Sequence, residues 1–136
     1  KQGLSFKTQK ITDNISMLKG RGGNIGILQG EQGVLMIDDD YQNMTPALEK
    51  ALGQFGGQDK LTYIVNTHWH GDHSLGLPGL IQSMAAHNYN KTLEIYGPKN
   101  TKMFVTKIIS AFLLKNKIKF KSTNWKRNSK KNQIIT

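Results

Sequence analysis

Three of the four histidines in this chain fall within nine residues, Asn66-Thr67-His68-Trp69-His70-Gly71-Asp72-His73-Ser74. His68, His70, Asp72 and His73 all carry ligands for first-row metals. Imidazole suits zinc, iron or manganese, and a carboxylate adds a hard oxygen. In an extended segment the side-chain period is two, so His68, His70 and Asp72 would point to one side. His73 breaks that alternation and must be aimed by the turn at Gly71. One short loop serving one or two ions is the chemistry this spacing predicts. A metal pair can polarise a substrate oxygen and lower the pKa of a bridging water toward neutrality. The competing reading is a set of surface loop histidines that bind metal only adventitiously. Their density directly after an apolar strand argues against it.

The elements that must position this loop are legible from hydrophobic spacing. Residues 11–18 are apolar at near-alternate positions and read as a strand. Residues 24–28 form a second strand after the turn at Gly20, Gly22 and Gly23. Residues 33–38 form a third, entered through the hairpin signal Gly30-Glu31-Gln32-Gly33. Its run Val34-Leu35-Met36-Ile37 is continuously apolar, which fits a strand covered on both faces. Thr45-Pro46 then opens a helix, with Thr45 as expected N-cap and Glu49 completing the capping pattern. Leu48, Ala51, Leu52 and Phe55 form its apolar face, and Gly56-Gly57 stops it. Residues 61–65 are a strand, and the histidine loop follows at its C-terminal end. Strand–helix–strand of this length predicts a right-handed parallel crossover. Ligand-binding residues in such sheets sit beyond the strand C-termini.

Downstream, a helix is expected from about Leu77 to Ala86, a short strand at 93–96 and a helix over 101–114. Ile118 and Phe120 alternate with Lys117, Lys119 and Lys121, as in a half-buried edge strand whose lysines discourage edge pairing. From Ser122 the chain is rich in Lys, Asn and Ser, and a poorly ordered tail is expected. The expected organisation is one domain over 1–121 and a basic tail over 122–136. No internal repeat is present.

With 136 residues, 37% hydrophobic, the chain suits one domain with a real core. The absence of cysteine excludes disulfides and thiolate–metal sites. No apolar run approaches the ~20 residues needed to span a bilayer, and no membrane partner is expected. The net charge of +10 is unevenly spread. Residues 1–73 carry seven Lys/Arg against eight Asp/Glu, whereas residues 74–136 carry twelve against one, Glu94. Such asymmetry suggests RNA or another polyanion as partner of the second half. A Lys/Asn composition bias with no partner is the equal alternative, since aromatic residues suited to base stacking are sparse.

Thr67-His68-Trp69-His70-Gly71-Asp72-His73 resembles the signature loop of the metallo-β-lactamase-fold superfamily. The segments Gly23-Asn24-Ile25-Gly26 and Gly33-Val34-Leu35-Met36-Ile37-Asp38, with the helix that follows, are similar to its opening strands and first crossover. Residues 11–73 most closely resemble bacterial zinc hydrolases related to β-lactamases and glyoxalase II. His70-Gly71-Asp72-His73-Ser74-Leu75-Gly76-Leu77-Pro78-Gly79-Leu80 and Leu93-Glu94-Ile95-Tyr96-Gly97-Pro98-Lys99 are similar instead to tRNase Z, the tRNA 3′-processing endonuclease of the same superfamily.

The resemblance implies an α/β (α+β) fold, the N-terminal half of an αββα sandwich with a mixed sheet and flanking helices. It implies a zinc-type hydrolase that uses metal-activated water on RNA phosphodiesters or on small esters and lactams. His68 and His70 would bind a first metal, and Asp72 and His73 a second. Asp72 would also act catalytically, orienting the attacking water. Asp38 would hold the metal loop from behind its ligands, although in the run Asp38-Asp39-Asp40 it reads equally well as a turn aspartate. His87 is expected to cap a helix end, and Glu94 to be structural.

The family completes its site with two later histidines and a bridging aspartate. After His73 this sequence holds no aspartate and only His87. Three explanations follow: a truncated product, a chimera joined near His70–His73, or a half-fold that dimerises to cover its bare sheet face. Charge, composition and resemblance all change at one place, which favours the chimera. The opening Lys1 fits removal of a leader or a longer N-terminus. The first half suggests an extracytoplasmic hydrolase and the second an intracellular RNA enzyme, so the compartment is not fixed. A metal-binding or nucleic-acid-binding fragment without efficient catalysis is the alternative function.

Overall fold

A computed structural model describes residues 3–128 and 133–135 of the chain. Residues 129–132 and 136 of the expected tail lie outside the described residues.

Seven strands form one sheet in sequence order, β1-β2-β3-β4-β5-β6-β7. They are β1 Lys7–Lys10, β2 Ile15–Lys19, β3 Asn24–Gly30, β4 Gly33–Ile37, β5 Leu61–Val65, β6 Thr92–Gly97 and β7 Lys119–Asn124. The first four pair antiparallel and the last four parallel. A separate hairpin pairs β8 Lys126–Asn128 with β9 Gln133–Ile135. The switch from hairpins to parallel pairing coincides with the first helix, as it must, because a parallel neighbour needs a crossover. The crossovers are α1 Thr45–Leu52, then α2 Gly71–Ser74 with α3 Gly76–Ala86, and lastly α4 Thr101–Ala111. This is the mixed sheet with flanking helices expected from the sequence.

Period-two alternation separates two sheet faces. Leu18, Ile25, Ile27, Met36, Ile64, Leu93 and Ile95 are buried against Leu48, Leu52, Leu80, Ile81, Met84, Val105 and Ile109 of the helices, in one continuous core. The opposite face carries Met17, Gly26, Ile37, Val65 and Tyr96 in register across five strands. Ile15, Leu28 and Ile37 there are each 39% exposed. Among the described residues one layer of helices thus covers one face and leaves the other bare. No helix among the described residues is long and apolar enough to cross a membrane.

Several boundaries differ from expectation for local reasons. The strand expected over 11–18 begins only at Ile15. The amides of Ile11 and Thr12 donate to the Ile15 carbonyl, and Thr12 Oγ1 accepts from the Ile15 amide. Thr, Asp and Asn side chains compete for backbone groups in this way and favour turns. Lys7–Lys10 forms the additional strand β1 on the far side of that turn. Thr45 does not cap α1: a 3₁₀ turn over Gln42–Met44 leads in, and Met44 occupies the cap with no side-chain hydrogen bond. Thr45 is instead buried against Gly79 of α3. The helix ends at Leu52, a 3₁₀ turn follows, and Gly56 and Gly57 sit at φ 94° and 83°. The expected 101–114 helix stops at Ala111, because Leu113 turns left-handed at φ 54°. β7 continues past Lys121 to Asn124, templated by β6 from Thr92↔Lys119 to Gly97↔Asn124.

Candidate metal centre

β5 delivers the histidine loop to the C-terminal end of the parallel strands. At its exit the Asn66 amide donates to the Tyr96 carbonyl of β6, so the loop starts from a fixed point. Thr67 and His70 are exposed, while His68 and Trp69 are half-buried. Trp69 points away from the histidines: its Nε1 donates to Thr101 Oγ1 at 3.2 Å, and its ring lies 5.2 Å from that of Phe104. That contact ties the loop to the start of α4.

The extended run ends at His70, which has φ −68°, ψ 148° and caps α2. Asp72 and His73 therefore lie on a helical turn, and the period-two argument for Asp72 does not apply. The helical turn results from a local bond pattern, in which Ser74 Oγ donates to the His70 carbonyl and the His73 amide donates to the same oxygen.

Ligand atoms of His68, Asp72 and His73 lie within 4.8 Å of one another. His73 Nε2 is 3.3 Å from Asp72 Oδ2, close to the edge of a tetrahedron of ligands around an ion with ~2.0–2.1 Å bonds. The His68 and His73 ring centres are 4.1 Å apart. His70 is outside the three-residue cluster, with its ring edge-on to His68 at 4.8 Å. Two imidazoles and a carboxylate converging on one point is a donor set that fits a zinc-type cation.

The expected holder of this loop, Asp38, is 4% exposed and sits at φ 65°, just past the end of β4. Its Oδ1 accepts the Thr67 amide at 2.7 Å, and its Oδ2 accepts Thr67 Oγ1 at 2.8 Å. Oδ2 also lies 2.7 Å from His73 Nδ1. The His73 ring is thereby oriented with Nε2 free toward Asp72. Thr67 Oγ1 is also 2.9 Å from His68 Nδ1, which leaves the Nε2 of His68 as its open nitrogen.

Of the other two aspartates of the run, Asp40 holds a second segment and Asp39 the base of the same loop, and sequence reasoning passed over both. Asp40 Oδ1 and Oδ2 accept the amides of Gly22 and Arg21, pinning the glycine turn. That turn lies directly on the metal loop. A Cβ on Gly23 would meet His73 Cε1 at 2.5 Å, and one on Gly22 would meet Asp72 Cβ at 2.6 Å. Asp39 is fully buried and accepts Asn66 Nδ2 at 2.9 Å, and the same Nδ2 bonds the His73 carbonyl. Burial pushes the Asp39 carboxyl up from its ordinary 3.8 to about 8, helped by the charge of Asp38 and opposed by Asn66 and the amides of Leu77 and Gly76. Its Oδ1 and the Asn66 Oδ1 are both buried without a partner among the described residues. The available signal was three consecutive aspartates facing a glycine-rich turn.

His87 is remote from the cluster. It caps the C-terminus of α3, with Nδ1 2.9 Å from the Ser83 carbonyl. Glu94 accepts Tyr96 Oη at 3.0 Å on the bare sheet face.

This fold and donor set define a metal-binding α/β protein of a recognisable class. Residues 18–109 match the metallo-beta-lactamase superfamily, and the chain belongs to it. Among curated relatives it is similar to ribonuclease Z of Nanoarchaeum equitans, 47% identical over 55 residues, or 40% of this chain and 17% of the relative. Ribonuclease Z of Thermococcus gammatolerans is 56% identical over 45 residues, or 33% of this chain and 14% of the relative. Among solved structures it resembles human tRNase Z, short form, with TM-score 0.62, 21% identity and coverage of 89% of this chain and 44% of the other. A subclass B3 metallo-beta-lactamase of Bradyrhizobium japonicum aligns at TM-score 0.60 and 19% identity, covering 74% of this chain and 36% of the other. The tRNase Z likeness expected from the sequence is thus shown, as is the superfamily. The chain spans less than a fifth of these curated relatives and under half of these structural neighbours.

Proposed function

We propose that this chain carries the first metal-binding loop of a metal-dependent hydrolase acting on RNA phosphodiesters. The observation that carries the reading is the convergence of His68, Asp72 and His73 at the strand C-termini, with Asp38 fixing His73 from behind. Ribonuclease Z relatives and the basic second half favour RNA over small esters or lactams as substrate. A bound divalent cation would polarise a phosphoryl oxygen and lower the pKa of its water toward 7. The residues of this chain supply the rest. His68 and His73 would offer Nε2 and Asp72 a carboxylate oxygen to that cation, Asp72 would also orient the attacking water, and His70 stands beside His68 outside the cluster. Zinc fits this donor set best, with iron or manganese as substitutes.

A second reading rests on a specific observation: among the described residues no further His or acidic side chain joins the cluster. On that reading the chain binds one metal and RNA without efficient turnover. The bare sheet face, with Ile15, Leu28 and Ile37 partly exposed, further supports self-association of two copies.

Metal content per chain, measured with turnover of a tRNA precursor carrying a 3′ trailer, tests both readings. Trailer release lost in His68→Ala supports the hydrolase. Metal retained without any release supports the binding module. A purified chain that holds no metal after zinc loading would sink both.

A further inference from the structure

A large cavity lies away from the metal loop. It has a volume of about 1080 Å³ and lies between α4, the loop after it and the first residues of β6 and β7. That is at or above the ~300–1,000 Å³ range of small-molecule pockets. Because β5, β6 and β7 are parallel, the loop leaving β5 and the entries of β6 and β7 lie at opposite ends of the sheet. Six residues of β6 separate the two ends by roughly 20 Å at ~3.3 Å per residue.

The cavity is lined by Lys91, Lys115, Lys117 and Lys119, and no acidic residue lines it. All four lysines are exposed. None has a carboxylate partner among the described residues, and Lys91 Nζ bonds only a backbone oxygen, that of Asp59. Three of these charges alternate along residues 115–119, in the stretch after α4. The stretch is shaped as well as charged, since Leu113 and Asn116 both adopt left-handed backbone, at φ 54° and 62°. Half-buried Phe120 forms part of the floor.

We infer that this lysine groove binds the phosphate backbone of a single-stranded RNA segment, at the end of the sheet opposite the metal loop. A row of unpaired cations along a concave path is the arrangement that tracks a phosphate backbone. An anionic bilayer is a poorer fit. Ile109 and Ile118 of the lining are buried and Phe120 is half-buried, while the exposed Phe112 and Leu113 of the same loop lie outside the lining, so the groove itself presents nothing to insert. The inference rests on RNA as the substrate class and adds where the strand lies away from the reacting bond.

The test is binding of a labelled 20-nucleotide RNA to the full chain across a salt series, with the RNA verified intact afterwards. The triple variant Lys115→Gln, Lys117→Gln, Lys119→Gln should bind about tenfold more weakly, with a salt slope shallower by about 2, at ~0.7 per lost phosphate contact. A control of equal charge, Lys7→Gln, Lys19→Gln, Lys50→Gln, sits on β1, β2 and α1 outside the groove lining and should change affinity less than about threefold. Arginine at the three groove positions should preserve binding if the groove acts through charge. Equal losses in the groove and control variants would overturn the groove and leave only net charge. Capture by phosphatidylglycerol vesicles with RNA unbound would overturn it in favour of a membrane. A wild-type chain that holds metal but binds no RNA overturns the groove and leaves the metal site standing.

Discussion

His73 Nδ1 and Asp38 Oδ2 lie 2.7 Å apart, joining a metal-loop ring to a carboxylate 35 residues earlier in the chain. Asp38 also accepts two bonds from Thr67, so one carboxylate orients both ends of the loop. Partners of this kind fix the ring and raise its basicity, and losing one typically weakens metal binding by ~10–100-fold. Asp38→Ala should therefore weaken zinc binding by about that range while leaving His68, Asp72 and His73 in place. A competitive titration against a chromogenic chelator measures it. Unchanged affinity would reduce Asp38 to a turn residue.

Gly22 and Gly23 press their backbone against Asp72 and His73, with no room for a Cβ. Gly23→Ala should displace the His73 ring and weaken zinc binding, and overpacking of this kind costs about 1–3 kcal/mol. Gly53→Ala is the control, because nothing lies within 4 Å of a Cβ there. Thermal melts and zinc titrations of the two variants should separate cleanly. Equal behaviour would mean the turn yields without disturbing the loop.

How much of this was legible in the sequence follows from range. Leu61–Val65 was bounded correctly because an apolar β-rich run ends at a polar loop, a purely local signal. The crowding of His68, His70, Asp72 and His73 was visible for the same reason. The resemblance pointed to Asp38 as the holder of the loop, but how Asp38, Asp39 and Asp40 divide their bonds was not visible, because identical neighbours reach two different segments, the metal loop and the glycine turn. Their partners are Thr67 and His73, Asn66, and Arg21 and Gly22. No periodicity encodes contacts 18–35 residues away. The turn at residues 11–14 and the cap of α1 were misread because side-chain-to-backbone bonding overrode alternation and cap preference.

Asp39 makes stability pH-dependent. Its folded-state pKa is raised to about 8 from 3.8, chiefly by burial. Between those values the unfolded chain releases a proton that the folded chain retains. Stability therefore falls as pH rises from about 4 to about 8 and levels off above, with a slope approaching ~1.4 kcal/mol per pH unit. Asp39→Asn keeps an oxygen for Asn66 and should flatten this dependence. Melting temperatures of both proteins at pH 5 to 9 with chelator present measure it. Parallel curves would place the dependence elsewhere.

The bare sheet face carries Ile15, Leu28 and Ile37, each 39% exposed, on neighbouring strands. Ile15 pairs with Leu28 across β2 and β3, so the apolar surface is continuous. Two copies burying this face should sediment as a dimer. Leu28→Glu should give a folded monomer, since the position faces away from the helix-covered core.

Metal should stabilise the fold through the loop it gathers. A cation that binds only the folded chain adds RT ln(1 + [L]/Kd), or about 2.7 kcal/mol at a hundredfold excess over Kd. Zinc should therefore raise the melting temperature of the wild-type chain. His68→Ala removes one of the three clustered donors and should abolish most of that rise. His70→Ala removes a side chain outside the tight cluster and should leave more of it, because the remaining three donors already converge. Calorimetric melts with and without zinc rank the two. A larger loss in His70→Ala than in His68→Ala would show that the bound cation sits on the His70 side of the loop, away from Asp72.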